Sequence, residues 1–157
     1  MKKTNAMRML DRLKIEYQFD EYDVEDKLID GLSVSSKTGL SSNKMCKTLV
    51  CSGRGGYYVY VIPVKMSLDL KLAALAAGEK KIEMIPQKNL QSITGYVHGG
   101  CSPLGMKKLF PTYIDESVKD FNIITVSGGM IGMLVHINPG DLLKAVDGVF
   151  VSLGKEE

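Results

Sequence analysis

At 157 residues, with 45% hydrophobic and 24% charged residues, the chain has the size and balance of one globular domain spanning 1–157, and no low-complexity or linker-like run divides it. No apolar stretch approaches the roughly 18 residues of a membrane span, and the start Met1-Lys2-Lys3-Thr4-Asn5 leads into an amphipathic pattern rather than a signal segment, so a cytoplasmic protein is expected. A net charge of +2 leaves nucleic-acid binding open, and three cysteines without C-x-x-C spacing read as reduced thiols.

Thr4 is placed to cap a first helix whose Met7, Leu10 and Leu13 recur at helical spacing. Gln18 to Tyr22 reads as a strand, and a second helix starts at Asp30 or Ser33 and ends near Gly39. Met45 to Cys51 and Tyr57 to Pro63 are rich in β-formers and are joined by Ser52-Gly53-Arg54-Gly55-Gly56, a five-residue hairpin turn. Leu68, Leu72, Leu75 and Ala76 share one helical face, with Ser67 or Asp69 as N-cap and Gly78 as C-cap, which predicts a leucine stripe packed on the sheet. Thr112 to Asp115, Ile123 to Val126, Met133 to Ile137 and Val149 to Ser152 are short strands, and a helix from about Asp141 to Val146 follows Pro139-Gly140. The alternation implies a mixed α/β architecture, with a mixed sheet flanked by helices.

Two stretches carry chemistry. Lys47 lies within Met45-Cys46-Lys47-Thr48-Leu49-Val50, where an ammonium in an apolar strand needs water or an anion within reach. That is met by a ligand pocket, by snorkelling or by a structural ion pair; strand alternation sends Cys46 and Thr48 to the face opposite Lys47. The second stretch is the Gly/Pro-rich loop from Ser92 to Gly105, which ends beside Lys107 and Lys108. Its glycines allow a ligand to approach bare N–H donors, while Pro103 stiffens it; the same composition also suits a purely structural connection. No Ser-His-Asp or Cys-His-Asn arrangement stands out, and no cluster has metal-ligand spacing, so no cofactor is expected. The nine methionines read as core filler.

Lys47-Thr48-Leu49, Lys80-Lys81-Ile82-Glu83-Met84, Ser92-x-Thr94-Gly95-Tyr96-x-x-Gly99-Gly100-x-Ser102-Pro103-Leu104-Gly105-x-Lys107-Lys108, Val126-Ser127-Gly128-Gly129 and Gly140-Asp141-Leu142 together resemble the prolyl-tRNA editing-domain superfamily, in its free-standing YbaK/EbsC subfamily of Cys-tRNA(Pro) deacylases. The resemblance spans nearly the whole chain. It implies a mixed, twisted, partly barrel-like sheet flanked by helices, and an enzyme that clears cysteine from mischarged tRNA(Pro), often together with prolyl-tRNA synthetase. It implies Lys47 as the essential lysine, Gly99 and Pro103 as a G-x-x-x-P loop, and Tyr22 at the pocket wall. Thr94, Gly95, Tyr96, Ser102, Gly105, Ser127, Gly128 and Gly129 fall within the matched motifs and are expected around the substrate.

The resemblance also supplies a nucleophile, since the substrate's own cysteine thiol, with an ordinary pKa of about 8.5, attacks the neighbouring ester and leaves as a thiolactone. The backbone N–H groups of Gly100 and Cys101 are expected to steady the carbonyl oxygen, and Lys47 to meet the terminal adenosine or developing charge. Lys107 and Lys108 are candidates for tRNA phosphates. Cys101 stands where relatives are expected to carry an apolar residue; its thiol is a rival nucleophile, with His98 as a candidate base. His136, with Leu134, stands where relatives tend to carry acidic or amide residues. A small acyl ester or thioester hydrolase using Cys101, and a silent tRNA- or nucleotide-binding module, are the alternatives.

Overall fold

The computed structural model describes residues 2–156. The Thr4 hydroxyl oxygen accepts the Met7 N–H at 3.2 Å and opens α1 (Asn5–Arg12), which buries Ala6, Met7 and Leu10. Leu13, expected on that face, is exposed because the helix stops at Arg12 and the chain reverses at Lys14, φ 58°. After β1 (Gln18–Glu21), Tyr22 is held by its N–H to the Gly132 carbonyl at 2.9 Å. Asp30, rather than Ser33, caps α2 (Gly31–Thr38) by accepting the Ser33 N–H at 3.0 Å, and Gly39 closes that helix in the left-handed conformation.

β2 (Cys46–Gly53) and β3 (Gly56–Pro63) pair antiparallel from Cys46 opposite Pro63 to Gly53 opposite Gly56. The turn between them is therefore only Arg54-Gly55, shorter than the expected five residues. Glu79 explains the tightness: its carboxylate accepts the Arg54 and Gly55 N–H groups at 3.2 and 2.7 Å and the Tyr58 hydroxyl at 2.6 Å.

The predicted leucine stripe does not form. Leu68 belongs to β4 (Met66–Leu68), Asp69 caps α3 (Leu70–Ala77), and the buried face consists of Ala73 and Ala74 while Leu75 is 77% exposed. Small side chains let the helix lie close enough for the Tyr60 hydroxyl to donate to the Ala73 carbonyl at 2.8 Å, an approach that a leucine ridge would block. A short β5 (Glu83–Met84) and a 3-10 turn lead into α4 (Leu90–Thr94), so the first residues of the expected Ser92–Gly105 loop are helical and Gly95 is the cap.

β6 (Thr112–Asp115) and β8 (Met133–Ile137) have the expected bounds, whereas β7 (Ile124–Ser127) starts one residue later than predicted. Asn138 caps α5 (Pro139–Val146), which uses Pro139 in its first turn, followed by β9 (Val149–Val151) and β10 (Gly154–Glu156).

The strands form three open sheets: β5-β2-β3-β6-β9, β1-β8-β7 and β10-β4. Among the described residues the partly barrel-like closure expected from the resemblance is absent. The outer edge of β2 meets β5 at one end, through Cys51 and Ser52, and the second sheet at the other, through a bridge between Met45 and Thr125. On that edge the Lys44 carbonyl accepts from Thr125 N–H at 2.9 Å and the Val50 carbonyl from Ile85 N–H at 3.2 Å, while the Met45 carbonyl turns the other way to Val64. Alternation thus points the main-chain groups of Cys46 and Thr48 into the gap between the two junctions. The main core, with Met7, Leu10, Leu104, Ile114, Val126, Val135 and Leu142, fixes the angle at which the sheets meet. Among the described residues no helix is long and apolar enough to cross a membrane.

Candidate active site

The gap beside β2 is a cavity of about 410 Å³, within the size range of small-molecule sites. β2 and its approach supply Met45 to Leu49, the segment just after β1 supplies Tyr22, and α2 with its cap roofs the space with Asp30, Leu32 and Val34. His98, Gly99 and Cys101 enter from the glycine loop, and Ser127 and Leu134 from the second sheet. Cys46, Lys47 and Thr48 all border this one cavity, contrary to the expectation that alternation separates them. A cavity lying along a strand's free edge meets both of its faces as well as its main chain.

The loop expected to bind ligand as a unit divides into two functions. Thr94 is buried, donating to the Leu90 carbonyl at 2.8 Å and accepting the Tyr96 N–H at 3.0 Å; the Tyr96 hydroxyl donates to the Leu104 carbonyl at 2.6 Å, and Ser102 Oγ accepts the Leu104 N–H at 3.2 Å. Gly105 packs so closely on α1 that a Cβ would lie 2.7 Å from the Asn5 carbonyl. These four, with Gly95 and Pro103, brace the loop and border none of the first cavity; only His98, Gly99 and Cys101 reach it.

Gly100 departs from its expected role as an oxyanion donor. Its N–H donates to the Val97 carbonyl at 3.0 Å, and a Cβ there would sit 2.8 Å from the Ile131 nitrogen, so the residue is needed for close packing. Cys101 is 9% exposed, and burial pushes its thiol pKa up to about 12 even though Thr94 hydrogen-bonds to it. Such a thiol is almost wholly protonated at neutral pH. His98 is exposed on the cavity rim.

Ser127 Oγ accepts the Gly129 N–H at 3.3 Å and borders the cavity; Gly128 and Gly129 shape the turn behind it. Tyr22 stands under the Lys37 ammonium, 5.6 Å from the ring centroid, while Lys37 also donates to the Asp23 carbonyl at 2.7 Å and pairs with Asp26 at 2.8 Å. One lysine thereby ties the segment after β1 to the roofing helix. Leu134 forms part of the wall, but His136 lies further along the strand, with Nδ1 2.7 Å from Thr125 Oγ1 and Nε2 2.6 Å from Asp20. Lys107 and Lys108 lie outside the cavity, the former near the Ser92 carbonyl and the latter 6.0 Å from the Phe110 ring centroid.

Thr48 is the residue that sequence reasoning passed over. Its Oγ1 is buried without a hydrogen-bond partner among the described residues, a costly condition unless a ligand supplies one. Thr48→Val keeps the shape and removes the unsatisfied group. We expect an unchanged or raised melting temperature together with a KM increased about 3- to 10-fold, the value of one ordinary hydrogen bond; a parallel fall in stability and activity would refute a ligand role.

Comparison with known proteins accords with this geometry. The aminoacyl-tRNA editing domain family matches residues 32–145. A protein of Enterococcus faecalis, EbsC, provisionally named a Cys-tRNA(Pro)/Cys-tRNA(Cys) deacylase, is 41% identical over 156 residues, covering 99% of this chain and 95% of its own. Two crystal structures share the fold. One, described provisionally as a trans-editing enzyme for prolyl-tRNA synthetase, has a TM-score of 0.82 at 21% identity and covers 99% of both chains. The other, a hypothetical protein, has a TM-score of 0.87 at 18% identity and covers 96% of this chain and 99% of its own. Family match and full-length similarity agree: the chain belongs to the aminoacyl-tRNA editing domain family, in its YbaK/EbsC branch.

Proposed function

We propose that the protein is a trans-acting deacylase that releases cysteine from mischarged Cys-tRNA(Pro), and from Cys-tRNA(Cys) to an extent set by how the tRNA is presented. The observation that carries this reading is a cavity of nucleoside size that holds Lys47 and whose one thiol on the loop side is disabled by burial. A substrate thiol of pKa about 8.5 is a few per cent ionised at neutral pH, whereas a thiol at about 12 is ionised to roughly one part in 10⁵. The substrate therefore holds about three orders of magnitude more of its thiol as thiolate, an advantage that the greater intrinsic nucleophilicity of a high-pKa thiolate offsets only in part.

In the step proposed, the substrate thiolate attacks its own ester carbonyl, the carbonyl–oxygen bond to the ribose breaks, and the ribose oxygen takes up a proton as the thiolactone departs. Holding the thiol and the ester in one conformation is the main contribution required of the cavity walls. Lys47 steadies the negative charge that develops on oxygen, and the Cys101 N–H, at a loop residue that borders the cavity, is assigned the same task. Transient association with prolyl-tRNA synthetase would deliver the mischarged tRNA in the cytoplasm before it enters translation.

Release of labelled cysteine from Cys-tRNA(Pro), with Ser-tRNA(Pro) and Ala-tRNA(Pro) in parallel, tests the reading. We expect rapid loss from the cysteinyl ester alone, a rate that climbs with pH toward the substrate thiol pKa, and retention of activity in Cys101→Ala. Cleavage of the seryl ester at the same rate, or silence of Cys101→Ala, refutes substrate-thiol catalysis and favours a hydrolase; binding without turnover favours the silent module. Addition of prolyl-tRNA synthetase to the same assay reports on delivery.

A further inference from the structure

A second cavity, of about 500 Å³, adjoins the first, and Tyr22 is the residue that borders both. Lys2, Lys3 and Arg8 line it on one side, and the turns at Gly95, Gly129 and Gly132 line it on the other. The Lys3 ammonium is bonded to the Asp11 carboxylate, Arg8 Nη1 donates to Asn5 Oδ1 at 3.0 Å, and Glu21 is the one carboxylate on the wall. The three cations are exposed on the first turn of α1 and the residues before it, where nothing in the core requires positive charge.

A nucleoside esterified on its ribose can occupy the first cavity only if the chain 5′ to it leaves across the rim. Each linkage that leaves is an anion. The roof side of the rim carries the Asp30 carboxylate, which would repel it. At Tyr22 the rim instead borders the second cavity, where Lys2, Lys3 and Arg8 outnumber the Glu21 carboxylate, and Tyr22 brings an aromatic ring, covered on one face by the Lys37 ammonium, to the boundary. Lys108, with Arg12, lines a third depression of about 230 Å³ that shares no bordering residue with the first cavity. A strand emerging from the first cavity does not meet it directly.

We infer that the cavity bounded by Lys2, Lys3, Arg8 and the Tyr22 ring holds the phosphodiester segment immediately 5′ to the esterified nucleoside. This rests on the deacylase reading and extends it, since it assigns the phosphate contacts to the N-terminal segment rather than to Lys107 and Lys108. The site reads backbone charge and a stacked base, and so accepts the single-stranded end that all tRNAs share.

Binding of a 5′-fluorescent single-stranded RNA ending in CCA, followed by anisotropy over a range of salt, tests the assignment on the intact protein. Lys2→Ala/Lys3→Ala/Arg8→Ala should weaken binding at 0.1 M salt by about tenfold or more and flatten the log–log salt slope by about 2, at roughly 0.7 per lost single-strand phosphate contact. Replacing the three 3′-most phosphodiesters of the RNA by neutral methylphosphonates should weaken binding to the wild type to a similar degree and leave the triple variant indifferent. The assignment falls if the triple variant keeps the wild-type affinity and slope, or if Lys107→Ala/Lys108→Ala flattens the slope instead. Failure of the deacylase reading is separately visible as absence of cysteine release from Cys-tRNA(Pro) by the wild type, and the salt slopes still decide the phosphate site in that event.

Discussion

Lys47→Ala is expected to slow cysteine release from Cys-tRNA(Pro) by about 10²- to 10³-fold, the usual consequence of deleting a charge-stabilising donor from an enclosed site. The loss should fall mainly on kcat, because in the role proposed for it the ammonium meets developing charge and so contributes more in the transition state than in the bound ester. Single-turnover quenching with labelled substrate separates this from weakened binding. Lys47→Arg should recover little: the guanidinium is planar, wider and delocalised, and the cavity is bounded by neighbours on either side of the lysine in its own strand. Turnover at the wild-type rate in Lys47→Ala would remove the lysine from the chemistry and leave it a structural residue.

Asp115→Ala is expected to produce the largest loss of stability. The Asp115 side chain is 4% exposed, and its Oδ1 accepts the Leu153 and Gly154 N–H groups at 2.9 and 3.1 Å while Oδ2 accepts the N–H and hydroxyl of Ser117. Alanine orphans the buried Leu153 N–H and the half-buried Gly154 N–H, while water can reach Ser117, so at about 1–3 kcal/mol for each of the two the loss reaches roughly 2–5 kcal/mol, a large part of a typical domain's 5–15. The C-terminal strand β10, which among the described residues pairs with β4 alone, should detach first. Urea unfolding monitored by far-UV circular dichroism measures the loss, and Asp115→Asn, which retains an acceptor oxygen, should recover part of it. A loss below about 1 kcal/mol would mean that solvent reaches and satisfies those N–H groups.

The parts of the fold written in local chemistry were legible from the residues. Thr4, Asp69 and Gly78 cap helices where their side chains or lack of one predicts, and the β-formers of Thr112–Asp115 and Met133–Ile137 mark strands to the residue. The pieces decided by distant partners were not: β4, β5 and β10 are two or three residues long and exist because another strand lies alongside. The alanine face of α3 was hidden for a related reason, since hydrophobic spacing favours the larger leucines while close packing against Tyr60 selects the smaller residues.

At the site, Lys47 and the glycine loop stood out because a charge in an apolar strand and a glycine cluster are visible without a structure. Which loop residues face the cavity depends on hydrogen bonds such as Tyr96 to Leu104, which leave no trace in composition. The roof of α2 escaped notice because Leu32 and Val34 look like ordinary helix residues. Thr48 was discounted by a rule that holds inside a sheet and fails at its free edge. The Lys47-Thr48 pair itself was the available signal.

β5 is two residues long, and its brevity leaves the middle of β2 uncovered. An exposed strand edge ordinarily invites intermolecular pairing and aggregation, yet here it lies at the bottom of a roofed recess that an extended chain from another molecule cannot enter flat. The same arrangement sets a limit on engineering. Lengthening β5 along β2 would complete the ladder and raise thermal stability, and it would fill the recess with backbone, so a thermostable variant obtained that way would be inert.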